Sequence, residues 1–456
     1  MAPIRALILR ALTAWPALIR LAGWLAPNPF AYVQGKPLER WLPVYRLGAR
    51  KLALTNDPVN VELVMQDRSG QYPKAHALET LLEPLIGRGV FGQPGGASVR
   101  EARKLYIRSL ARIDDGEIIR ACRELTDAYV DRWLGNPQAP LALCTELSRL
   151  TVDVVSRCTL GRTFEPHQSE RFSELFFLYH RRCVPLLLLL SDGHPSSDEA
   201  LVRGMRLRPI GTEMRQLIRD CFVRPLLAGD HAALAAPFAV SLREAGLLEP
   251  GDDGERTLDE IAVMLLAGHE TTASTLSWLL WELARRPEQQ DTAADALIPE
   301  VDDIDRAASG PDTVRAMIRE TLRLYPPIAF FLRQAEQATT LRGKPVAAGD
   351  FVVVSPWTLH RHRKLWTRPG EFIPERWLAP DAGPTARTSF MPFGMGPRTC
   401  PGAHFADVEL REILRPILRR CRLSPAGGRA PRPLGSLTSR PDREIRLRIA
   451  PRGTMR

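Results

Sequence analysis

Apolar residues recur every three to four positions through the middle of the chain, and that period predicts helices. The longest such stretch is residues 257–286, apolar over most of its length, with Thr257 as the expected cap and Glu260 at the capping-box position. A second helix is expected over residues 312–324, stopped by Pro326 and Pro327, and a third from just after Cys400 to about residue 420. Strand-like stretches are fewer and shorter: residues 51–55, 339–342, 351–355 and 444–449. Gly343–Lys344 and Ala348–Gly349–Asp350 read as turns between strands of a small sheet. The pattern predicts a mainly α protein, a large helical domain with a small β-rich region.

The N-terminal stretch has a different pattern. Ile4, Leu7, Ile8, Leu12, Trp15 and Ile19 fall on one helical face, with Arg5, Arg10 and Arg20 largely opposite. Those arginines leave no run near the roughly 20 apolar residues that span a bilayer, and no small-residue cleavage signal predicts secretion. The segment suits a peripheral membrane contact or a helix packed on its own domain, kinked at Pro16. Residues 184–190, Val-Pro followed by five leucines, are too short to span and suit a core or an apolar channel. No Gly/Ser-rich or charged linker divides the rest. The expected division is an amphipathic segment at 1–30 and one domain at 31–456.

With 456 residues, 45% of them hydrophobic, the chain can bury a large core and enclose a sizeable cofactor. The net charge of +10 is carried by the last 46 residues, where thirteen arginines from Arg411 onward meet only Glu412, Asp442 and Glu444. No nucleic-acid motif accompanies them, so a nucleic-acid partner is not expected. A docking face for an acidic electron-transfer partner and an ordinary solvated surface both fit the excess. The seven cysteines (122, 144, 158, 183, 221, 400, 421) form no Cys-x-x-Cys pair and are odd in number. That argues against a disulfide framework or a zinc ribbon and for a reducing, cytoplasmic setting, with a peripheral position at a membrane left open.

Candidate chemistry concentrates in residues 393–402, Phe-Gly-Met-Gly-Pro-Arg-Thr-Cys-Pro-Gly, which present Cys400 just before a helix. A thiolate is the form that binds metal. The glycines let backbone approach a flat ligand, and backbone N–H groups with a helix N-terminus would favour the anion. Here the chain resembles the cytochrome P450 family, whose pattern is met at Phe393, Gly396, Arg398, Cys400 and Gly402. The resemblance implies the P450 fold, haem b (iron protoporphyrin IX) and Cys400 as the iron ligand, a thiolate that pushes electron density toward the metal.

Other segments agree with it. Glu320-Thr-Leu-Arg323 sets two charges one turn apart, and Phe372-Ile-Pro-Glu-Arg-Trp377 follows. By resemblance Glu320, Arg323 and Arg376 form a buried structural network, and His360-Arg361 ahead of Trp366 and Pro369 matches a further segment. Ala267-Gly-His-Glu-Thr-Thr272 interrupts the long helix with threonines that can open a local bulge. It resembles the oxygen-activation segment, with Glu270 and Thr271 relaying protons and His269 given no ligand role. Two haem propionates require cations: Arg398 and Arg333 match family positions. Arg103 is a third candidate, although Val99 stands where the family often has Trp. The helix carrying Arg100, Arg103, Lys104 and Arg108 would serve equally as a redox-partner surface.

The implied activity is a haem-thiolate monooxygenase acting on a lipophilic small molecule. A haem-thiolate peroxygenase or isomerase and a non-enzymatic haem-binding sensor are the alternatives. No phosphate loop, flavin-binding segment or iron–sulfur cysteine set is present, so electrons would come from a ferredoxin with its reductase or from a flavoprotein reductase. By analogy the pocket would include Leu78, Met264, Ala267, Ile328, Phe330, Phe331 and Leu437, an apolar lining without an obvious fixed charge. A monomer is expected.

Overall fold

The computed structural model describes residues 28–47, 50–92, 97–184, 195–249, 253–297, 312–378 and 387–453. The N-terminal amphipathic face and the leucine run at 185–190 lie outside these residues. The chain is 58% helix and 11% strand, which makes it mainly α, as the periodicity predicts.

A central helix, Glu255–Ala284, is buried along most of its length. It packs against the helices Leu143–Leu160, Thr313–Leu324 and Ala403–Arg420. Apolar side chains of these helices form one large cluster around Leu147, Leu276, Leu280, Ile413 and Leu418. A second cluster, around Phe172, Phe176, Phe222 and Ile261, fills the other side. Gly268 makes the close packing with Leu143–Leu160 feasible, since a Cβ there would meet Val155 Cγ2 at 2.6 Å.

The helix start differs from the sequence reading. It begins at Glu255 behind Gly254, which has φ 73°. Thr257 is buried and donates its hydroxyl to the Leu247 carbonyl, while Glu260 accepts from Tyr106. Both polar side chains are claimed by long-range partners, so neither caps. The other boundaries move by two residues or fewer: Thr313–Leu324 follows Asp312, whose carboxylate accepts from Arg315 N at 2.8 Å, and the last strand is Arg446–Pro451.

The β region is a four-stranded sheet in the order Val44–Leu47, Arg50–Thr55, Phe351–Val354, Phe331–Gln334. Arg50–Thr55 and Phe351–Val354 pair in parallel, the others antiparallel. A C-terminal hairpin, Pro433–Gly435 with Ser439–Pro441, reaches the central helix, where Ser274 donates to the Ser439 carbonyl at 2.7 Å. Phe30 closes the sheet side by stacking on Trp357, centroids 3.8 Å apart. Among the described residues no helix is long and apolar enough to cross a membrane.

Part of the basic C-terminal tail is paired within the fold. Arg411, Arg415, Arg420, Arg422, Arg443 and Arg452 each reach a carboxylate, several of them on distant segments. Six of the thirteen arginines are thus held in ion pairs within the fold.

Candidate functional site

Glu320 and Arg323 are both fully buried. The Glu320 carboxylate accepts from Arg323 Nε and Nη2, each at 2.9 Å, from Arg376 Nε at 3.1 Å, from Ile373 N at 2.8 Å and from Trp377 Nε1 at 2.9 Å. Arg323 spends its remaining donor capacity on the carbonyls of His360, Pro369 and Glu371. His360 in turn accepts the Met391 N–H on Nε2 at 3.0 Å. Burial of the imidazole, with the Arg323 and Arg361 charges, pulls its pKa down to about 3, so it stays the neutral acceptor. The network thus runs from the Thr313–Leu324 helix to the loop that holds Cys400.

That loop is a tight turn. Cys400 N donates to Phe393 O at 2.8 Å. Gly396 has φ 72°, and a Cβ there would sit 2.4 Å from the Met65 carbonyl oxygen, so the backbone approaches closer than any side chain allows. Cys400 keeps an exposed face. The protein mass around the sulfur pushes the thiol upward, offset by the Gly402 N–H and the Arg103 charge. The Gly402 N–H favours the anion as expected of this loop, but desolvation outweighs it. A metal cation beside the sulfur would supply the missing charge.

Next to this loop four cations converge. Lys74 and Arg333 are cross-strand neighbours in an isolated antiparallel bridge. Arg103 Nη2 donates to the Thr399 carbonyl at 2.6 Å, and Arg398 lies in the loop itself. Lys74 is pushed down to about 8 by burial and by the Arg398, Arg333 and Arg103 charges, against Glu79. Arg333 is pushed down to about 10 by burial and by Arg398, with Asp67 opposing. Its side-chain contacts are poor, a 3.4 Å bond to Leu332 O and a 4.0 Å contact to Met65 Sδ. Like charges facing across a ladder are destabilising. Four cations beside two carboxylates, Asp67 and Glu79, leave an excess that suits a dianionic ligand. A flat macrocycle with two carboxylates and a metal fits this donor set. Lys74 was missed in the sequence because a lone lysine after Pro73 carries no pattern. Val99 is 7% exposed and lies in the apolar core with Leu105 and Tyr106, so it offers nothing to an anion.

On the central helix Glu270 is 3% exposed. Burial pushes its carboxyl up to about 7, with the Arg440 charge and a 3.0 Å hydrogen bond from Thr438 opposing. Thr271 Oγ1 donates to the Ala267 carbonyl at 3.0 Å and Thr275 Oγ1 to the Thr271 carbonyl at 2.8 Å. The helix nonetheless runs unbroken through this stretch. The expected bulge is not formed, because each hydroxyl bonds a carbonyl of its own helix without displacing a turn. His269 turns aside: Nδ1 lies 2.7 Å from the Leu265 carbonyl and the ring is edged by Phe172 and Phe176. Thr272 Oγ1 donates to Glu409 Oε2 at 2.9 Å, tying the central helix to Ala403–Arg420.

Among the pocket candidates, Met264 is buried in the core, Leu437 packs on that cluster half-buried, and Leu78 is partly exposed. Ile328 is likewise half-buried. Phe330 instead stacks on Phe30 at 5.6 Å, and Phe331 packs with the sheet cluster. Arg440, unnoticed in the sequence among so many arginines, brings a fixed charge to Glu270 that the apolar reading of this region did not contain.

Known proteins resemble this chain over most of its length. The family model described as cytochrome P450 matches residues 252–447. Cyclooctatin synthase of Streptomyces melanosporofaciens is 30% identical over 95% of either chain. Cyclooctat-9-en-7-ol 5-monooxygenase of the same organism is 33% identical over 88% of this chain and 86% of its own. A six-coordinated cytochrome P450 from Thermus thermophilus superposes with a TM-score of 0.68 at 25% identity, covering 93% of this chain and 98% of that one. The haem domain of cytochrome P450DA reaches a TM-score of 0.75 at 22% identity over 94% and 95%.

Proposed function

The chain belongs to the cytochrome P450 family, a haem-thiolate monooxygenase, and from that premise we propose the roles of its residues and the class of its substrate. Cys400 is the iron ligand of a haem b. The group supplies, when bound, the activation of molecular oxygen for insertion of one atom into substrate. Phe393, Gly396 and Gly402 shape the loop around it, and Arg103, Arg333, Arg398 and Lys74 hold the propionates. Lys74 supplies the donor that Val99 lacks. The cation cluster beside Cys400 is the observation that carries this reading.

On the central helix Glu270 holds a proton on its carboxyl near neutral pH. Thr271 Oγ1, already donating to the Ala267 carbonyl, keeps lone pairs that can accept from a second donor. Together they pass protons inward. A relay acid of this kind supports the monooxygenase over a peroxide-driven enzyme, which has less need of it. Glu320, Arg323 and Arg376 act as scaffold.

The substrate is a lipophilic, ring-containing hydrocarbon bearing at most a hydroxyl or so, the class that the name cyclooctat-9-en-7-ol describes for one relative. Met264, Ala267 and Leu437 fit such a ligand. Electrons come from a separate ferredoxin or flavoprotein reductase. It docks on the helix Ala97–Leu110, where Arg100, Lys104 and Arg108 are exposed and Arg103 touches the cysteine loop.

Reduced, CO-saturated protein tests the ligand assignment. The red-shifted Soret band of a thiolate-ligated haem is expected, and is lost in Cys400→Ser. Persistence of that band in the serine variant overturns it.

A further inference from the structure

The C-terminal hairpin carries more toward the central helix than its small size suggests. It is anchored at two points, one on that helix and one at Pro327, and a third bond closes its own turn. Ser274 on the central helix donates to the Ser439 carbonyl at 2.7 Å, Ser439 N donates to the Pro327 carbonyl at 2.7 Å, and Ser436 N donates to the Thr438 carbonyl at 3.2 Å. These bonds set the register in which Thr438 reaches Glu270 Oε1 at 3.0 Å. Two residues on, Arg440 places a guanidinium in the same buried region, with its carbon 5.0 Å from the centre of the Phe177 ring. Its Nη1 is buried without a hydrogen-bond partner among the described residues. A buried guanidinium nitrogen left so is retained at a cost.

We propose that Arg440 is a positioning residue for the relay: through its charge, with the Thr438 hydroxyl, it sets the proton occupancy of Glu270. This rests on the reading of Glu270 as the relay acid.

The surrounding groups leave Arg440 in charge of that acid. Among the described residues it is the charge that acts on Glu270, opposing the effect of burial. His269, the next residue along the helix, is pulled down to about 4 by burial and is neutral at working pH. His180, on the helix Pro166–Arg182, is pulled well down by burial and by the Arg440 charge, so it too is neutral. Arg440 itself is weakened by burial, supported by Glu270, Cys144 and Glu444, and repelled by Arg181. Among the described residues both ring nitrogens of His180 lack partners, as does Arg440 Nη1. Buried polar atoms of this kind are commonly satisfied by ordered water, which would link Glu270 outward through Arg440. With the charge in place the carboxyl exchanges its proton near neutrality. Without it the carboxyl stays protonated and cannot reload through a charged state.

The test uses haem-loaded resting protein. The protonated-carboxyl infrared band of Glu270, identified by its loss in Glu270→Gln, is titrated against pH, and the fraction of reducing equivalents recovered as product is measured over the same range. Arg440→Gln should raise the midpoint of the band by about one pH unit or more and move the coupling profile the same way. Arg440→Lys, which retains the charge, should restore both to near the parent values. Thr438→Val should raise the midpoint by less than Arg440→Gln. An unmoved midpoint in folded, haem-loaded Arg440→Gln overturns the proposal while leaving Glu270 as the relay acid. If Glu270→Gln loses no band and couples normally, the underlying reading of Glu270 fails, and the proposal with it.

Discussion

Glu320→Gln perturbs the site without touching any group that faces the cofactor. The parent carboxylate accepts five hydrogen bonds, three on Oε1 and two on Oε2. An amide nitrogen at either position cannot accept, so at least two donors are orphaned whichever way the side chain turns. Two guanidinium groups, Arg323 fully buried and Arg376 nearly so, also lose their counter-charge. Removing one partner of a buried ion pair costs about 3–5 kcal/mol, against a total of about 5–15 kcal/mol for a typical domain. The variant should lose a large share of its stability and hold haem poorly. Urea unfolding followed by far-ultraviolet circular dichroism measures this, provided the slope with denaturant is unchanged. Arg368→Gln, which removes an exposed pair with Glu371, is the control and should leave the midpoint where it was. A loss below about 1 kcal/mol in Glu320→Gln would refute the claim that this network is a main support of the fold around the cysteine loop.

Other outcomes follow from the same geometry. Gly396→Ala should cost about 1–2 kcal/mol from the left-handed backbone alone, and more from the clash with the Met65 carbonyl; weakened haem retention on dilution measures it. Thr271→Ala should divert reducing equivalents to peroxide or water while substrate binding stays intact, read as product formed per electron pair. Burial pushes Glu409 up to about 8, with the Thr272 hydroxyl opposing. The folded state therefore keeps this proton after the unfolded chain has lost it, so stability is full below the ordinary carboxyl range and falls as pH rises toward 8. The slope in that window is about 1.4 kcal/mol per pH unit for one such group. Glu409→Gln should flatten the pH dependence of the unfolding midpoint between about pH 5 and 8, and an unchanged slope would show that other groups set it.

Much of the scaffold was legible in the sequence. The central helix announced itself through apolar periodicity, and Asp312 through Pro326 gave a helix with both ends marked. The cysteine loop and the Glu320–Arg323 pair stood out because their function depends on close sequence spacing. What escaped depended on partners far away in the chain. Thr257 looked like a cap, but the carbonyl of Leu247 claims its hydroxyl. Lys74 and Arg333 are neighbours only after a bridge forms across more than half the chain. Arg440 is one of thirteen arginines near the C-terminus, and only the register of the hairpin distinguishes it. Glu409 looks like any acid on an amphipathic helix until Thr272 is seen against it. Local pattern reports local geometry, and charge placed by tertiary contact leaves no such mark.

The facing pair of Lys74 and Arg333 has a consequence for biogenesis. Until a dianion arrives, the strand carrying Arg333 and the segment carrying Lys74 repel one another at the very bridge that joins them. The polypeptide is locally frustrated there, and cofactor capture removes the conflict. Ligand that binds only the native form adds stability that grows with its free concentration. Newly made chains should then mature at a pace set by the cell's haem supply, and those that wait too long should be exposed first to proteolysis along residues 65–75.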